Sequence, residues 1–186
     1  MKMRNPPSIS KITPGLFIGN AACTYDQSIL QKNGITGVVS LVNGPLNLWR
    51  QPRFTELVAP DCHKWVECAD SSTQDLLIHM ADICNFIDQM LEPSQQQPGR
   101  VLVHCDQGIS RSVTVVIAYL MRRQQKTPKD VLAEVHAKRP QIKPNKKFFW
   151  HSWRFGRLLG IKYGRMRRRR HHGSLIRLLG TSERQI

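Results

Sequence analysis

Val101-Leu102-Val103-His104-Cys105-Asp106-Gln107-Gly108-Ile109-Ser110-Arg111-Ser112 is the stretch from which the rest of the chain is read. It opens as a short β-branched apolar run after Pro98-Gly99, which predicts a buried strand. It then breaks into a polar loop with one glycine. From Val113 to Met121 the chain is apolar again, over a length that predicts a buried helix. A strand, a loop and a helix in that order aim a row of backbone N–H groups at one point, at the positive end of a helix dipole. An anion belongs at that point. Cys105 opens the loop and Arg111 closes it.

The chemistry follows from the spacing. A thiol is a weak nucleophile at neutral pH until it ionises, and a helix N-terminus, a nest of N–H groups and a guanidinium all favour the thiolate. Arg111 suits the grip of two phosphate oxygens in fork geometry. Gly108 permits a positive φ where the loop turns its amides inward. The amides from Asp106, Gln107, Gly108, Ile109 and Ser110 to Arg111 form the phosphate cradle. Ser112 places a hydroxyl within reach of the sulfur, where it steadies the thiolate as a leaving group. His104 is expected to orient the loop rather than react. Together these residues fit displacement at phosphorus through a cysteinyl-phosphate intermediate.

The sequence His-Cys-x5-Arg-Ser over residues 104–112 resembles the signature of the cysteine-dependent protein phosphatases. The likeness extends further. Leu16-Phe17-Ile18-Gly19-Asn20 looks like the first strand of dual-specificity phosphatases. Asp70, with Phe86-Ile87-Asp88 after it, is similar to their general-acid loop and the helix that follows. Arg139-Pro140, then Pro144-Asn145 and Phe148, is similar to the start of their last helix. The resemblance covers about residues 8–150 and implies a phosphatase-like fold. It also implies a shallow pocket that accepts several phosphoresidues, because the chain is too short for the additions that deepen the pocket of tyrosine-specific domains.

The 186 residues suffice for one domain with a real core. Hydrophobic content of 40% and charged content of 22% are those of a globular protein. No apolar run approaches a membrane span, and the N-terminus shows no apolar stretch of a secretory signal. The five scattered cysteines, Cys23, Cys62, Cys68, Cys84 and Cys105, point to reduced thiols and a cytoplasmic or nuclear setting. Cys62-His63 with Cys68 invites a zinc reading, but the spacing matches no common finger; no metal and no cofactor is expected.

Net charge is +15, and its distribution is uneven. Residues 151–186 hold ten Lys/Arg against one acid, Glu183, with Arg167-Arg168-Arg169-Arg170 at the centre. Such a tail suits anionic partners, whether nucleic acid, a membrane surface or a nuclear-import receptor, and equally suits a solvated disordered segment. The chain therefore divides into an N-terminal extension (1–10), a catalytic domain (11–160) and a basic tail (161–186).

In chain order, the pattern predicts a turn and strand over Ile12 to Asn20, a helix from Asp26 to Lys32 and a strand from Ile35 to Val42. An irregular stretch over 46–60 follows, then a strand over Lys64 to Cys68. Leu76 to Met90 shows helical spacing, and further helices are expected to about Gln124, from Thr127-Pro128 to Arg139, and from Pro144-Asn145 onward. Strands alternating with helices predict one α/β domain, with a central mixed, mostly parallel sheet flanked by helices.

Expelling an alkoxide or phenoxide from phosphorus calls for a proton donor, and Asp70 lies in a loop beyond a strand end where such a carboxyl serves. Asp75 is the better helix cap. Two features depart from the family pattern. Asp106 follows the nucleophile, and it is expected to point outward while the loop offers its amides. It also speaks against a phosphoinositide substrate, since such relatives have lysines in the loop. The second departure is the basic tail. Three functions compete: hydrolysis of phosphotyrosine and phosphoserine/phosphothreonine in proteins by a monomeric enzyme needing no nucleic acid, phosphoresidue binding with little or no turnover, and a phosphatase acting on RNA through its basic tail. Cys105, Arg111 and Asp70 together favour the first.

Overall fold

The computed structural model describes residues 5–44, 47–70, 75–92 and 98–161. The expected tail beyond Ile161 lies outside the described residues. Two strands, β1 (Ile9–Thr13) and β2 (Leu16–Asn20), open the chain as an antiparallel hairpin. Pro14 fixes the first corner of its turn and Gly15, at φ +78°, makes the second. β1 was not expected. It is an edge strand in which only Ile12 is buried, so Ser10, Lys11 and Thr13 hide the pattern. Ile9 and Ser10 thus belong to the sheet rather than to an extension.

Two short helices follow, α1 (Ala21–Thr24) and α2 (Gln27–Lys32), capped by the Asn20 and Asp26 side chains, which accept from Cys23 N and Ser28 N. Next come β3 (Gly37–Val42), the one-turn α3 (Pro52–Thr55) and β4 (His63–Glu67). The stretch read as irregular is more ordered than that. It holds a 3₁₀ turn at Asn47–Arg50 and then α3, because Leu48, Trp49 and Phe54 are buried against the sheet.

After a 3₁₀ turn at Leu77–His79 the chain enters α4 (Met80–Leu91), then β5 (Val101–Cys105), α5 (Arg111–Gln124), α6 (Pro128–Lys138) and α7 (Lys146–Leu158). Asp75 accepts from Leu77 N at 3.0 Å, but the cap position of that turn is Leu76, one residue later than foreseen. Thr127 caps α6 by accepting from Asp130 N at 3.3 Å, with Pro128 at the first helical position.

The five strands lie in the order β1-β2-β5-β3-β4, parallel except for β1. Side chains alternate across this sheet. Leu16, Ile18, Val39, Leu41, Val101, Val103 and Cys105 face the larger core with α4 to α7. Phe17, Val38 and Leu102 face the smaller one, with Leu30, Trp49 and Phe54. α5 is buried from Arg111 to Met121. Its run of β-branched residues, Val113 to Ile117, costs a few tenths of a kcal/mol each in helix propensity. Burying each such side chain returns about 1.5–3 kcal/mol, so packing decides the helix and anchors the loop before it.

Candidate active site

Cys105 ends the central strand. It pairs in register with Asn20 on β2 and Leu41 on β3, so the loop that follows leaves the carboxyl edge of a parallel sheet, where such folds place their ligands. The side chain is buried, 1% exposed. Gly108 N–H reaches its sulfur at 3.3 Å, and Ser112 Oγ lies 3.3 Å away. Ser112 stands where the sequence placed its hydroxyl and Gly108 takes φ +67°, while the bond from Gly108 N–H to the sulfur was not foreseen.

The loop is held from outside by its carbonyls. Ala21 N donates to Asp106 O at 3.1 Å, Arg139 Nε to Gly108 O at 2.8 Å, and Lys143 N to Ile109 O at 2.8 Å. In a trans peptide the N–H points opposite to the C=O, and no peptide here is cis. Fixing those three carbonyls therefore turns the next amides, of Gln107, Ile109 and Ser110, away from the supports. Three separate segments of the fold thus shape one nest of donors.

Arg111 opens α5 and is 3% exposed. Its Nη1 donates to the carbonyl of Cys68 at 2.5 Å, and its Nη2 to Asp106 Oδ2 at 2.6 Å. Burial opposes its charge, but Asp106, Cys105 and Asp70 outweigh that and hold its pKa above the ordinary value. The Asp106 contact corrects the expectation that this side chain points outward. Although 58% exposed, its carboxylate turns back onto the guanidinium, the strongest cation within reach. Asp70 comes to the same place. Its Oδ1 accepts from Ser110 Oγ at 3.1 Å and its Oδ2 lies 3.7 Å from Arg111 Nε. Ser110 Oγ in turn accepts from Asn145 N at 3.1 Å, tying the start of α7 to the loop.

His104 faces the smaller core, away from the sulfur. Its Nε2 lies 2.6 Å from Ser40 Oγ, and Ser40 Oγ is 2.9 Å from His63 Nε2. Burial drops the pKa of His104 to about 3 and that of His63 to about 4. Both rings are therefore neutral near pH 7. Ser40 has one hydroxyl proton, so at most one of the two Nε2 atoms accepts from it and the other carries a hydrogen. His63 is thus committed to Ser40, and its ring lies against Trp49 at 4.7 Å between centroids. Among the described residues no group of three His, Cys, Asp or Glu is arranged to hold a metal ion.

Cys68 is the remaining thiol near the site, and burial raises its pKa to about 11, against the pull of Arg111. The sequence reading missed Ser40, Ala21, Arg139 and Lys143 as supports. Ala21 and Lys143 act through backbone amides and carry no side-chain signal. Arg139-Pro140 entered only as a helix end and through the resemblance, not as a support of the loop.

A family model described as the dual specificity phosphatase catalytic domain matches residues 16–153. Dual specificity protein phosphatase 1B of Arabidopsis thaliana is 34% identical over 142 residues, covering 75% of this chain and 77% of that protein. Protein-tyrosine-phosphatase MKP1 of the same plant is 32% identical over 139 residues, 75% of this chain but 16% of that protein. Among solved structures, the human tyrosine phosphatase-like serine/threonine/tyrosine-interacting protein superposes with a TM-score of 0.69 at 29% identity, covering 81% of this chain and 97% of that one.

Proposed function

The chain belongs to the dual specificity phosphatase family, and from that premise we propose that it hydrolyses phosphotyrosine and phosphoserine/phosphothreonine in proteins through a cysteinyl-phosphate intermediate. The single observation that carries the reading is the convergence of Cys105, Gly108 N–H, Ser112, Arg111 and Asp70 on one loop.

In the first step the Cys105 thiolate forms an S–P bond as the P–O bond to the leaving group breaks. Asp70, in its protonated form, gives that oxygen a proton. The loop amides and Arg111 hold the phosphoryl oxygens, for which Arg111 exchanges its contact with Asp106 for the substrate. In the second step Asp70 takes a proton from water, the water oxygen bonds phosphorus, and the S–P bond breaks. Ser112 Oγ donates to the departing thiolate, which leaves inorganic phosphate and the starting enzyme. Ser40 and His104 act on the loop through the strand, not on the substrate.

The same reading takes a phosphoprotein as substrate and the protein as a monomer of the cytoplasm or nucleus, with the basic tail meeting anionic partners. Among the described residues no helix is long and apolar enough to cross a membrane. The test is turnover on a panel of phosphopeptides and phosphoinositides. Cys105→Ser should abolish hydrolysis and keep phosphopeptide binding, and a chelator should leave the parent activity intact. Retained turnover in Cys105→Ser, or loss to a chelator rescued by a divalent ion, sinks the mechanism.

A further inference from the structure

Arg139 is the largest fully buried side chain described, 1% exposed, and it lies directly behind the loop. Its Nε donates to Gly108 O at 2.8 Å and its Nη1 to Ser10 Oγ at 3.0 Å. Its Nη2 is buried with no hydrogen-bond partner. Contact with the loop is close: a Cβ placed on Gly108 would stand 2.7 Å from that Nη2. Gly108 therefore has its amide on the Cys105 sulfur and its carbonyl on Arg139.

A guanidinium in this position is costly. Taking an ion out of water costs several kcal/mol unless an opposite charge answers it. Arg139 forms no ion pair with an Asp or Glu among the described residues. Its hydrogen-bonded partners are a carbonyl and a hydroxyl, both neutral. The ionisable groups that act on it are Cys23 and Cys105. Burial pushes the Cys23 thiol up to about 12, which leaves it uncharged near pH 7. An anion at the Cys105 loop is what remains.

We propose that Arg139 is a second fixed cation of the phosphoryl site, a positioning residue that acts from behind the loop through Gly108 while Arg111 acts from the front. This rests on reading the Cys105 loop as a phosphoryl site. Arg111 is compensated before substrate arrives, by Asp106 and Asp70. Arg139 faces no carboxylate among the described residues, so beside the Cys105 sulfur only an anion held by the loop answers its charge, and the relief of that buried charge favours binding. Through its bond to the Gly108 carbonyl it also fixes the 108–109 peptide, with the Ile109 N–H turned the other way.

Charge and shape are separable at this position. Glutamine keeps a donor for a carbonyl and removes the charge; lysine keeps the charge and removes the fork. The measurement is calorimetric binding of sodium tungstate to the full chain carrying Cys105→Ser, with Arg139→Gln and Arg139→Lys added singly, alongside urea unfolding without tungstate. Arg139→Gln should weaken tungstate at least about tenfold, the scale of a charge acting across a short distance in a partly screened site. Its ligand-free stability should be unchanged or higher, since an uncompensated buried charge has gone. Arg139→Lys should stay within about threefold of the parent. Equal tungstate affinity in Arg139→Gln and parent would overturn the proposal. So would equal losses in the two variants, which would assign the effect to guanidinium geometry. A glutamine variant that fails to fold also overturns it, since Arg139 would then serve the fold. If the parent itself does not bind tungstate, the phosphoryl-site reading fails instead.

Discussion

Replacing Asp106 by alanine should make the loop bind oxyanions more tightly. In the ligand-free protein Asp106 Oδ2 stands 2.6 Å from Arg111 Nη2, where a phosphoryl oxygen would have to sit, so every substrate displaces a carboxylate before it meets the guanidinium. Two unit charges about 4 Å apart interact by about 4 kcal/mol at an effective dielectric of 20. That is an upper figure here, because Asp106 is 58% exposed and its carboxylate recovers water when it leaves. Discounted for screening, the contact is worth about 1–2 kcal/mol. Removing it should therefore tighten tungstate or phosphate binding about tenfold, at about 1.4 kcal/mol per factor of ten. The assay is inhibition of aryl phosphate hydrolysis by tungstate, with Asp106→Asn beside Asp106→Ala; the asparagine keeps an acceptor oxygen and should fall between the two. Tungstate affinity in Asp106→Ala equal to or weaker than the parent's would refute the reasoning and assign the carboxylate a supporting role.

Asp70→Asn should depress turnover by about 10² or more for substrates with poor leaving groups and far less for a good leaving group such as a nitrophenolate; equal losses on both would make Asp70 merely structural. Gly108→Ala should cost about 2 kcal/mol or more in urea unfolding, since φ there is +67° and the new Cβ would meet Gly19 O at 2.5 Å; a change under about half a kcal/mol would mean that the loop adapts freely. Acid should weaken the fold before the carboxylates titrate. With folded pKa values of about 4 for His63 and about 3 for His104, both below about 6.5 in an unfolded chain, the unfolded state takes up more protons as pH falls. Stability is then complete above about pH 6.5 and declines by up to about 1.4 kcal/mol per pH unit for each ring; His151, also lowered by burial, adds to the decline, so His63→Phe should remove about a third to a half of the slope between pH 6 and 5. An unchanged slope would show that His63 does not contribute.

The part of the site visible in the sequence is the part written as side chains in one short segment. Cys105, Gly108, Arg111 and Ser112 are near neighbours, and their spacing encodes the loop geometry directly. Asp70 came from the resemblance and its place beyond a strand, and the structure brings it onto Ser110 and Arg111. The strands that pack on both faces, β3 and β5, announce themselves as apolar runs interrupted only by Ser40 and His104. The edge strand β1 does not, because it buries only Ile12 and leaves Ser10, Lys11 and Thr13 half-buried or exposed. The short elements at Asn47–Arg50 and Pro52–Thr55 were hidden for another reason: they are fixed by Trp49 and Phe54 reaching the sheet, a tertiary contact with no local period. The direction of Asp106 was misjudged because it follows from where Arg111 lies after folding. Backbone supports such as Ala21 N and Lys143 N cannot be read from residue type at all.

The three carbonyl supports also bear on how the chain reaches its native state. Ala21, Arg139 and Lys143 come from the hairpin end, the end of α6 and the approach to α7, so the anion nest is complete only after segments on both sides of the loop have docked. Closing such long loops of chain costs entropy that local helix formation does not. The helix after Cys105 can form early from local contacts, whereas β5 waits for β2 and β3, and the donors between strand and helix take their final direction late. A folding intermediate would then hold most of its secondary structure and still be blind to oxyanions. In refolding, recovery of tungstate binding would trail recovery of helical content, so the site keeps time for the last steps of assembly.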